Sequence, residues 1–566
     1  MSLLAGLAVA LASFSLASGS PTSWNHGDNY GHGAPAAPAQ STAADPLVVR
    51  TSAGLVRGMV DAANPNVRQF LGVPYAKPPV GDGRWAAPQA LGAVDQSAGA
   101  LDATKLPRSC MQYLTTLGNS LYTRDVLEFN LQGLNRTGNV GEDCLTASVW
   151  TPGNATVDHS QGQGAGKEGG WGGKGGWEGL GIGKGKGNEN KNGKGLPVLI
   201  FIYGGGFTTG GEDVPYQLPP QWVQRTQDHI VVSFNYRVNL FGFPNAAGLA
   251  DENIGLLDQR LAVEWIQQNI AAFGGDPTRM VLWGQSAGAM SVDFYNFAYP
   301  TNPIVTGLIM DSGTAMLPIR SVDTTHSNFS FVAANVGCGN QANAAAELAC
   351  MRKVPADTLE NFVAKYQDSG AKPPISFVPV VDGKTVFANY TDRALKGLQA
   401  NIPAIIGTNA QDGVPFAPYN PNGPDQVAAQ AALLSVFFCP ATRTIADRLA
   451  TGRRTYRYEY SGNFSNVSPR PWMGAYHSAE LPMLMGTHPN FRGPSTPLEY
   501  ATSAAMQDAW VAFAADPVNG LAAQSWPVYE LGTPTVRVFG DGVAAQDESL
   551  SVLEGMCVGS VDSTAV

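Results

Sequence analysis

Charge is scarce in this sequence. Only 14% of its 566 residues are Asp, Glu, Lys or Arg, against about 25% in an average soluble chain. Lys and Arg number 35, Asp and Glu 45, for a net charge of −10. Nothing supplies the basic patch that nucleic-acid phosphates demand. Histidine is rarer still, with seven in the chain, so candidates for a general base are few. None of the six cysteines sits in a C-x-x-C pair, which argues against zinc and thioredoxin-like redox chemistry. No metal and no cofactor is expected. Beyond the N-terminus no apolar run reads as a bilayer span, and the C-terminus lacks the hydrophobic tail of a lipid-anchor signal.

What is present is apolar bulk and many turns. Hydrophobic residues make up 44% of the chain, with 66 Gly and 39 Pro. Leu3 to Ala17 is rich in Ala and Leu and too short to cross a membrane. Ala17 and Gly19 supply small residues for a cleavage site. Residues 1–19 therefore read as an export signal, followed by a polar, Pro-rich tail over 20–45, and the expected location is extracellular. Cys110, Cys144, Cys338, Cys350, Cys439 and Cys557 fit that compartment as disulfides. N-x-S/T sequons at Asn135, Asn154, Asn328, Asn389, Asn463 and Asn466 are candidate glycan sites. Residues 157–195 form a Gly-rich insertion that buries too little surface to offset its ordering entropy.

Over 46–566, apolar strand-like runs alternate with helical patterns. Leu196 to Tyr203 ends in three glycines, and Ile230 to Phe234 is a second run. Leu257, Leu261, Trp265 and Ile266 share one face of a helix over Leu256 to Phe273, stopped by Gly274-Gly275-Asp276-Pro277. Met280 to Trp283, Gly307 to Met310, Ala404 to Ile406 and Tyr456 to Tyr460 read as further strands. Such alternation predicts one α/β domain: a mostly parallel central sheet, helices on both faces, and long insertions.

Gly284-Gln285-Ser286-Ala287-Gly288 fits G-x-S-x-G. That motif sets a serine on a sharp strand-to-helix turn with its hydroxyl exposed. The strand before and the helical stretch Ala289 to Asn296 after supply the context; without them it would be an ordinary tight turn. A serine hydroxyl needs a base. In this arrangement an acid and then a histidine follow in sequence. His477 and His488 lie far enough downstream, and His477, after a predicted strand, is the better placed. Asp412 is the carboxylate at the end of the Ala404 strand; the alternative is a turn aspartate before Gly413. Gly204-Gly205-Gly206 after a strand could offer backbone N–H groups to an oxyanion, with the N–H of Ala287 as a further donor.

These residues resemble the type-B carboxylesterase/lipase family, secreted fungal members in particular, from about Val48 onward. The resemblance is carried by Tyr75-Ala76-Lys77-Pro78-Pro79 with Arg84-Trp85, Glu142-Asp143-Cys144-Leu145, Asn235-Tyr236-Arg237-Val238, Gly255-Leu256-Leu257-Asp258-Gln259, Phe273-Gly274-Gly275-Asp276-Pro277 and the run HSAELP from His477 to Pro482. It implies the α/β-hydrolase fold and a triad of Ser286, Asp412 and His477. It implies Gly205, Gly206 and Ala287 as oxyanion donors, and Ser312 as a hydroxyl near the acid. It also implies disulfides Cys110–Cys144 and Cys338–Cys350, leaving Cys439 with Cys557, and ion pairs Arg84–Glu142 and Arg237–Asp258. Two departures stand out. The acid is Asp where the family usually has Glu, and Thr146-Ala147-Ser148 follows Cys144-Leu145 in place of the commoner apolar residue and Asn.

The implied activity is a serine carboxylic-ester hydrolase acting on small-molecule or lipid esters. A triacylglycerol lipase is the alternative, with the Cys110–Cys144 loop as lid; its apolar residues are Leu114, Leu117, Leu121, Tyr122, Val126, Leu127, Phe129 and Leu131. A static rim would carry the same residues. A silent adhesion protein would lack the nucleophile. A cholinesterase is disfavoured because this loop has no Trp to supply the aromatic face that binds choline.

Overall fold

A strand of Val, Ile, Leu and Phe with no polar alternation has no face to give to water, and it needs cover on both sides. Four such runs form the middle of the sheet here. The computed structural model describes residues 45–92, 99–113, 121–126, 139–155, 195–490 and 492–558. Its main sheet has ten strands. In chain order they are β1 Val67–Pro74, β2 Thr146–Pro152, β3 Leu196–Ile202, β4 Ile230–Phe234, β5 Gly275–Gln285, β6 Gly307–Asp311, β7 Ala404–Asn409, β8 Thr455–Tyr460, β9 Val536–Phe539 and β10 Ala545–Glu548. The order across the sheet is β10-β9-β8-β7-β6-β5-β3-β4-β2-β1. From β9 to β4 all neighbours are parallel; β10, β2 and β1 join antiparallel. This is the α/β-hydrolase architecture.

The apolar runs read from the sequence lie in β3 to β8. The Met280 strand is longer than expected and begins at Gly275. β1, β2, β9 and β10 had no clear signal: β2 reads Thr-Ala-Ser-Val-Trp-Thr-Pro and β10 reads Ala-Gln-Asp-Glu. Both gain strand character only from their partners. Helix α1, Ile254–Asn269, runs on through a 3₁₀ turn to Phe273 and stops at Gly274, whose φ is 94°. Helix α2, Ala287–Ala298, follows the serine and is buried along most of its length.

Three disulfides join Cys110 to Cys144, Cys338 to Cys350 and Cys439 to Cys557. Arg84 meets Glu142 through two 2.6 Å contacts. Arg237 meets Asp258 at 2.8 and 2.6 Å with both side chains buried.

Some expectations are corrected. Gln426–Ala450 is a helical run long and apolar enough, by length and composition, to cross a membrane. A core helix passes the same test. Here the run carries buried Phe437, Phe438 and Ile445, and its Arg448 donates to the Ile402 carbonyl and to Thr455 Oγ1. His488, the other downstream histidine, is buried at 2% exposure. Its Nδ1 is 2.6 Å from Ser495 Oγ, and desolvation lowers its pKa to about 4. Asn466 is withdrawn as a glycan acceptor: it is buried, and its amide donates to the His488 carbonyl and Ser495 Oγ, both at 2.9 Å. Asn154, Asn389 and Asn463 are exposed, and Asn328 is half-buried with its amide donating to the Ser376 carbonyl at 3.0 Å. The export signal, the tail, Asn135, nearly all of the Gly-rich insertion, and Leu114, Leu117, Leu127, Phe129 and Leu131 lie outside the described residues.

Candidate active site

β5 ends at Gln285 and α2 begins at Ala287, so one residue makes the whole turn. Ser286 has φ 57° and ψ −123°, a region where a side chain is strained by about 1–3 kcal/mol and persists only if its surroundings fix it. They do. The Ser286 N–H donates to the Asp311 carbonyl at 2.8 Å, and its own carbonyl accepts from Met290 at 2.9 Å. The serine is 8% exposed, with its neighbours on both sides of the turn buried.

The glycine loop lies directly against this elbow. A Cβ on Gly204 would come within 2.9 Å of the Ser286 Cβ, and Gly205 holds φ 112°, so neither position accepts a side chain without strain. Among the described residues no acceptor takes the N–H of Gly205 or of Gly206. Ala287 is the first residue of α2, where an N–H has no partner within the helix. All three donors that the sequence singled out are therefore unspent beside Ser286.

Asp412 and His477 are brought together by backbone. Residue Gln411 pairs with Tyr476 as a parallel bridge. The Gln411 N–H donates to the Ala475 carbonyl at 3.1 Å, and the Ala475 N–H donates to Gln411 Oε1 at 2.7 Å. The two loops are thus stitched one residue before each functional side chain. His477 Nδ1 lies 2.8 Å from Asp412 Oδ1. The other carboxylate oxygen, Oδ2, accepts from Ser312 Oγ at 2.8 Å and from the Asn409 N–H at 2.7 Å. Asp412 is fully buried and His477 is 4% exposed. With Nδ1–H given to the aspartate, Nε2 is left as an acceptor. It faces the elbow, 3.3 Å from the amide nitrogen of Gln285.

This stitching brings an aspartate within reach of the histidine at the position where the resemblance leads one to expect a glutamate. The turn that carries it is drawn toward the histidine by the Gln411–Tyr476 bridge and pressed from behind: a Cβ on Gly413 would lie 2.0 Å from the Ala429 carbonyl. The backbone supplies the reach that the shorter side chain lacks.

Several neighbours were not legible from motifs. Asp311 and Glu480 are buried behind the triad. Asp311 is raised to about 7, by desolvation first and by the nearby charge of Asp412 as a smaller cause. Desolvation also lifts Glu480 well above the carboxylate range, reinforced by Asp311 and Asp412. Burial thus favours the protonated form of both groups, next to the pairing of Asp412 with the His477 imidazole. Two aromatic rings flank that imidazole. Phe437 lies 4.5 Å from it and Phe416 5.2 Å, the latter edge-on. Phe437 sits in the π-helical turn Leu433–Phe438, a form that concentrates at functional sites. Phe416 is 46% exposed. Among the described residues no group of His, Cys, Asp and Glu is placed to hold a metal ion.

The sequence profile described as Carboxylesterase family matches residues 45–436 and 428–539. A chlorogenic acid esterase of Aspergillus niger is 43% identical over 518 residues, covering 89% of this chain and 92% of the relative. Secreted lipase 5 of Gibberella zeae is 38% identical over 537 residues, covering 90% and 94%. Secreted lipase 1 of Botryotinia fuckeliana is 33% identical over 406 residues, covering 68% and 62%.

Proposed function

The chain belongs to the carboxylesterase family and is a carboxylic-ester hydrolase; we propose that it acts through an acyl-enzyme on Ser286. His477 Nε2 takes the Ser286 proton as Oγ attacks the ester carbonyl. Asp412 holds the imidazole in the tautomer that leaves Nε2 free and stabilises the imidazolium. The carbonyl oxygen, now negative, receives the N–H groups of Gly205, Gly206 and Ala287; loss of one such donor costs about 3 kcal/mol in the transition state. The imidazolium then gives its proton to the leaving alcohol. Water repeats the sequence and frees the acid. Ser312 and Asn409 orient Asp412 by occupying its second oxygen.

The observation that carries this reading is the His477–Asp412 contact of 2.8 Å beside a strained, buried serine with three unspent N–H donors around it. The test is pre-steady-state hydrolysis of a short-chain aryl ester. A burst of phenol stoichiometric with enzyme is expected, and Ser286→Ala abolishes burst and turnover together. Turnover retained in that variant would sink the mechanism.

An aromatic ester is the substrate class we favour. The leaving group departs beside His477, and Phe416 and Phe437 stand there. Chlorogenic acid, named for the Aspergillus niger relative, carries its aromatic ring on the acyl side, so comparing it with an aryl acetate shows on which side of the ester the rings act. We further propose export: the apolar run of residues 1–19, the 20–45 tail and a 46–566 domain with the 157–195 insertion fit a secreted chain. Three disulfides and relatives named as secreted support that reading.

A further inference from the structure

The segment Leu121–Val126 lies within the Cys110–Cys144 loop, far in sequence from the triad. In space it touches the triad's histidine. Tyr122 donates its hydroxyl to the backbone carbonyl of His477 at 2.9 Å, across 355 residues. The Ser478 hydroxyl donates to the same oxygen. Ser478 itself holds φ 78°, a left-handed conformation that a non-glycine residue keeps only when its surroundings fix it. The peptide unit after His477 is thus strained, and it is fixed by two hydroxyls, one of them brought from a different loop.

That loop segment is anchored on either side of the tyrosine. Leu121 is 2% exposed and Val126 is fully buried. Asp125 accepts from Arg470 Nε at 2.9 Å, and its carbonyl accepts from Arg492 at 2.9 Å. Arg470 and Arg492 flank His477 in the chain. The Arg124 guanidinium lies over the Tyr419 ring, 5.8 Å from its centroid. Every one of these contacts runs to the histidine's side of the site, none to the glycine loop or the elbow. Burial pushes the Tyr122 hydroxyl well above its usual pKa, desolvation being the first cause, so it stays a donor at any working pH.

We propose that Tyr122 is a positioning residue for the general base, and that Leu121–Val126 is the seat of the His477 loop. The inference rests on His477 being that base. Tyr122 touches neither substrate nor the reacting atoms; it acts through the carbonyl of His477. Its hydrogen bond constrains the peptide plane from which the imidazole projects, and a small rotation there swings Nε2 away from Ser286. Displacement of a catalytic group by about 1 Å costs on the order of a hundredfold in rate.

The experiment compares wild type, Tyr122→Phe and His477→Ala on one soluble aryl ester. The active-site concentration of wild type and Tyr122→Phe is counted by fluorophosphonate titration run to completion; rates for His477→Ala are taken per folded protein. Tyr122→Phe removes one oxygen and keeps the ring. Its kcat per titrated site should fall about 10- to 100-fold with KM within about twofold, and labelling by the fluorophosphonate should slow by a similar factor. A purely structural role would instead lower the titratable fraction and leave the rate per site untouched, and that result overturns the proposal. Tyr122→His, which returns a donor, should recover part of the loss. If His477→Ala keeps full activity, the reading of the triad fails. If His477→Ala is inactive and Tyr122→Phe matches wild type per site, the seat alone fails.

Discussion

Asp412 is the residue on which the geometry makes its sharpest demand. Its two oxygens divide the work: Oδ1 faces His477, and Oδ2 is held by Ser312 and the Asn409 N–H. Asp412→Asn keeps the shape but presents an amide that can donate to the imidazole and favour the wrong tautomer. A loss of about 10⁴ in kcat is expected, the size seen when a triad acid is made an amide, with an unchanged KM on a short-chain ester. A loss below tenfold would point to another acid. Ser286 and His477 could be picked out as candidates in the sequence because each sits in a local signature. The contacts that fix them could not. The Gln411–Tyr476 bridge and the Tyr122–His477 contact join segments 65 and 355 residues apart, and nothing local announces either. His488, the other downstream histidine, is equally buried but meets Ser495 rather than a carboxylate.

Two elements bring aromatic rings to the imidazole. The π-helical turn Leu433–Phe438 delivers Phe437 against the imidazole, and the 3₁₀ turn Val414–Phe416 delivers Phe416. Removal of the half-exposed ring in Phe416→Ala should raise KM for aryl esters about three- to tenfold, on the scale of about 0.5–1.5 kcal/mol for an aromatic pair. Methyl esters of the same acid should change less. Equal losses on both would remove Phe416 from the leaving-group site. A second element-level test concerns the Cys110–Cys144 loop. Because Leu121–Val126 is tied to the histidine's loop, displacing it would unseat the base. The rate on tributyrin should therefore rise smoothly through the solubility limit. A sharp jump at the emulsion would favour the lid reading and a lipase. The strands that sequence missed share one physical cause: β1, β2, β9 and β10 lie at the ends of the sheet, where a strand need not be uniformly apolar.

Scarce charge overall hides a concentration of buried acids. Desolvation, the largest cause in each case, raises Glu212 and Glu360 to about 8 and Asp311 and Glu459 to about 7. These groups are neutral in the folded chain when the same groups in the unfolded chain are already ionised. The folded state then binds more protons, so stability falls as pH rises through 7 to 8. Buried His488 works in the opposite sense, with its folded pKa near 4; its effect is complete once pH passes the unfolded value of about 6.5. The window from pH 6.5 to 8.5 therefore isolates the carboxyls. The melting temperature should drop across it, and Glu360→Gln should flatten the drop. A rising melting temperature would contradict the burial-driven shifts. The Arg237–Asp258 pair makes a separate demand on the whole fold. Asp258→Ala leaves a buried guanidinium uncompensated and should cost about 3–5 kcal/mol in urea unfolding.

The central claim is that an acyl group passes through Ser286. Its most direct test is a quenched-flow reaction with an aryl ester, followed by mass measurement of the peptide that contains Gly284 to Gly288. The mechanism predicts an acyl adduct on Ser286 that forms with the burst and decays at the turnover rate. An adduct on another residue, or full turnover with no adduct during the burst, would contradict it.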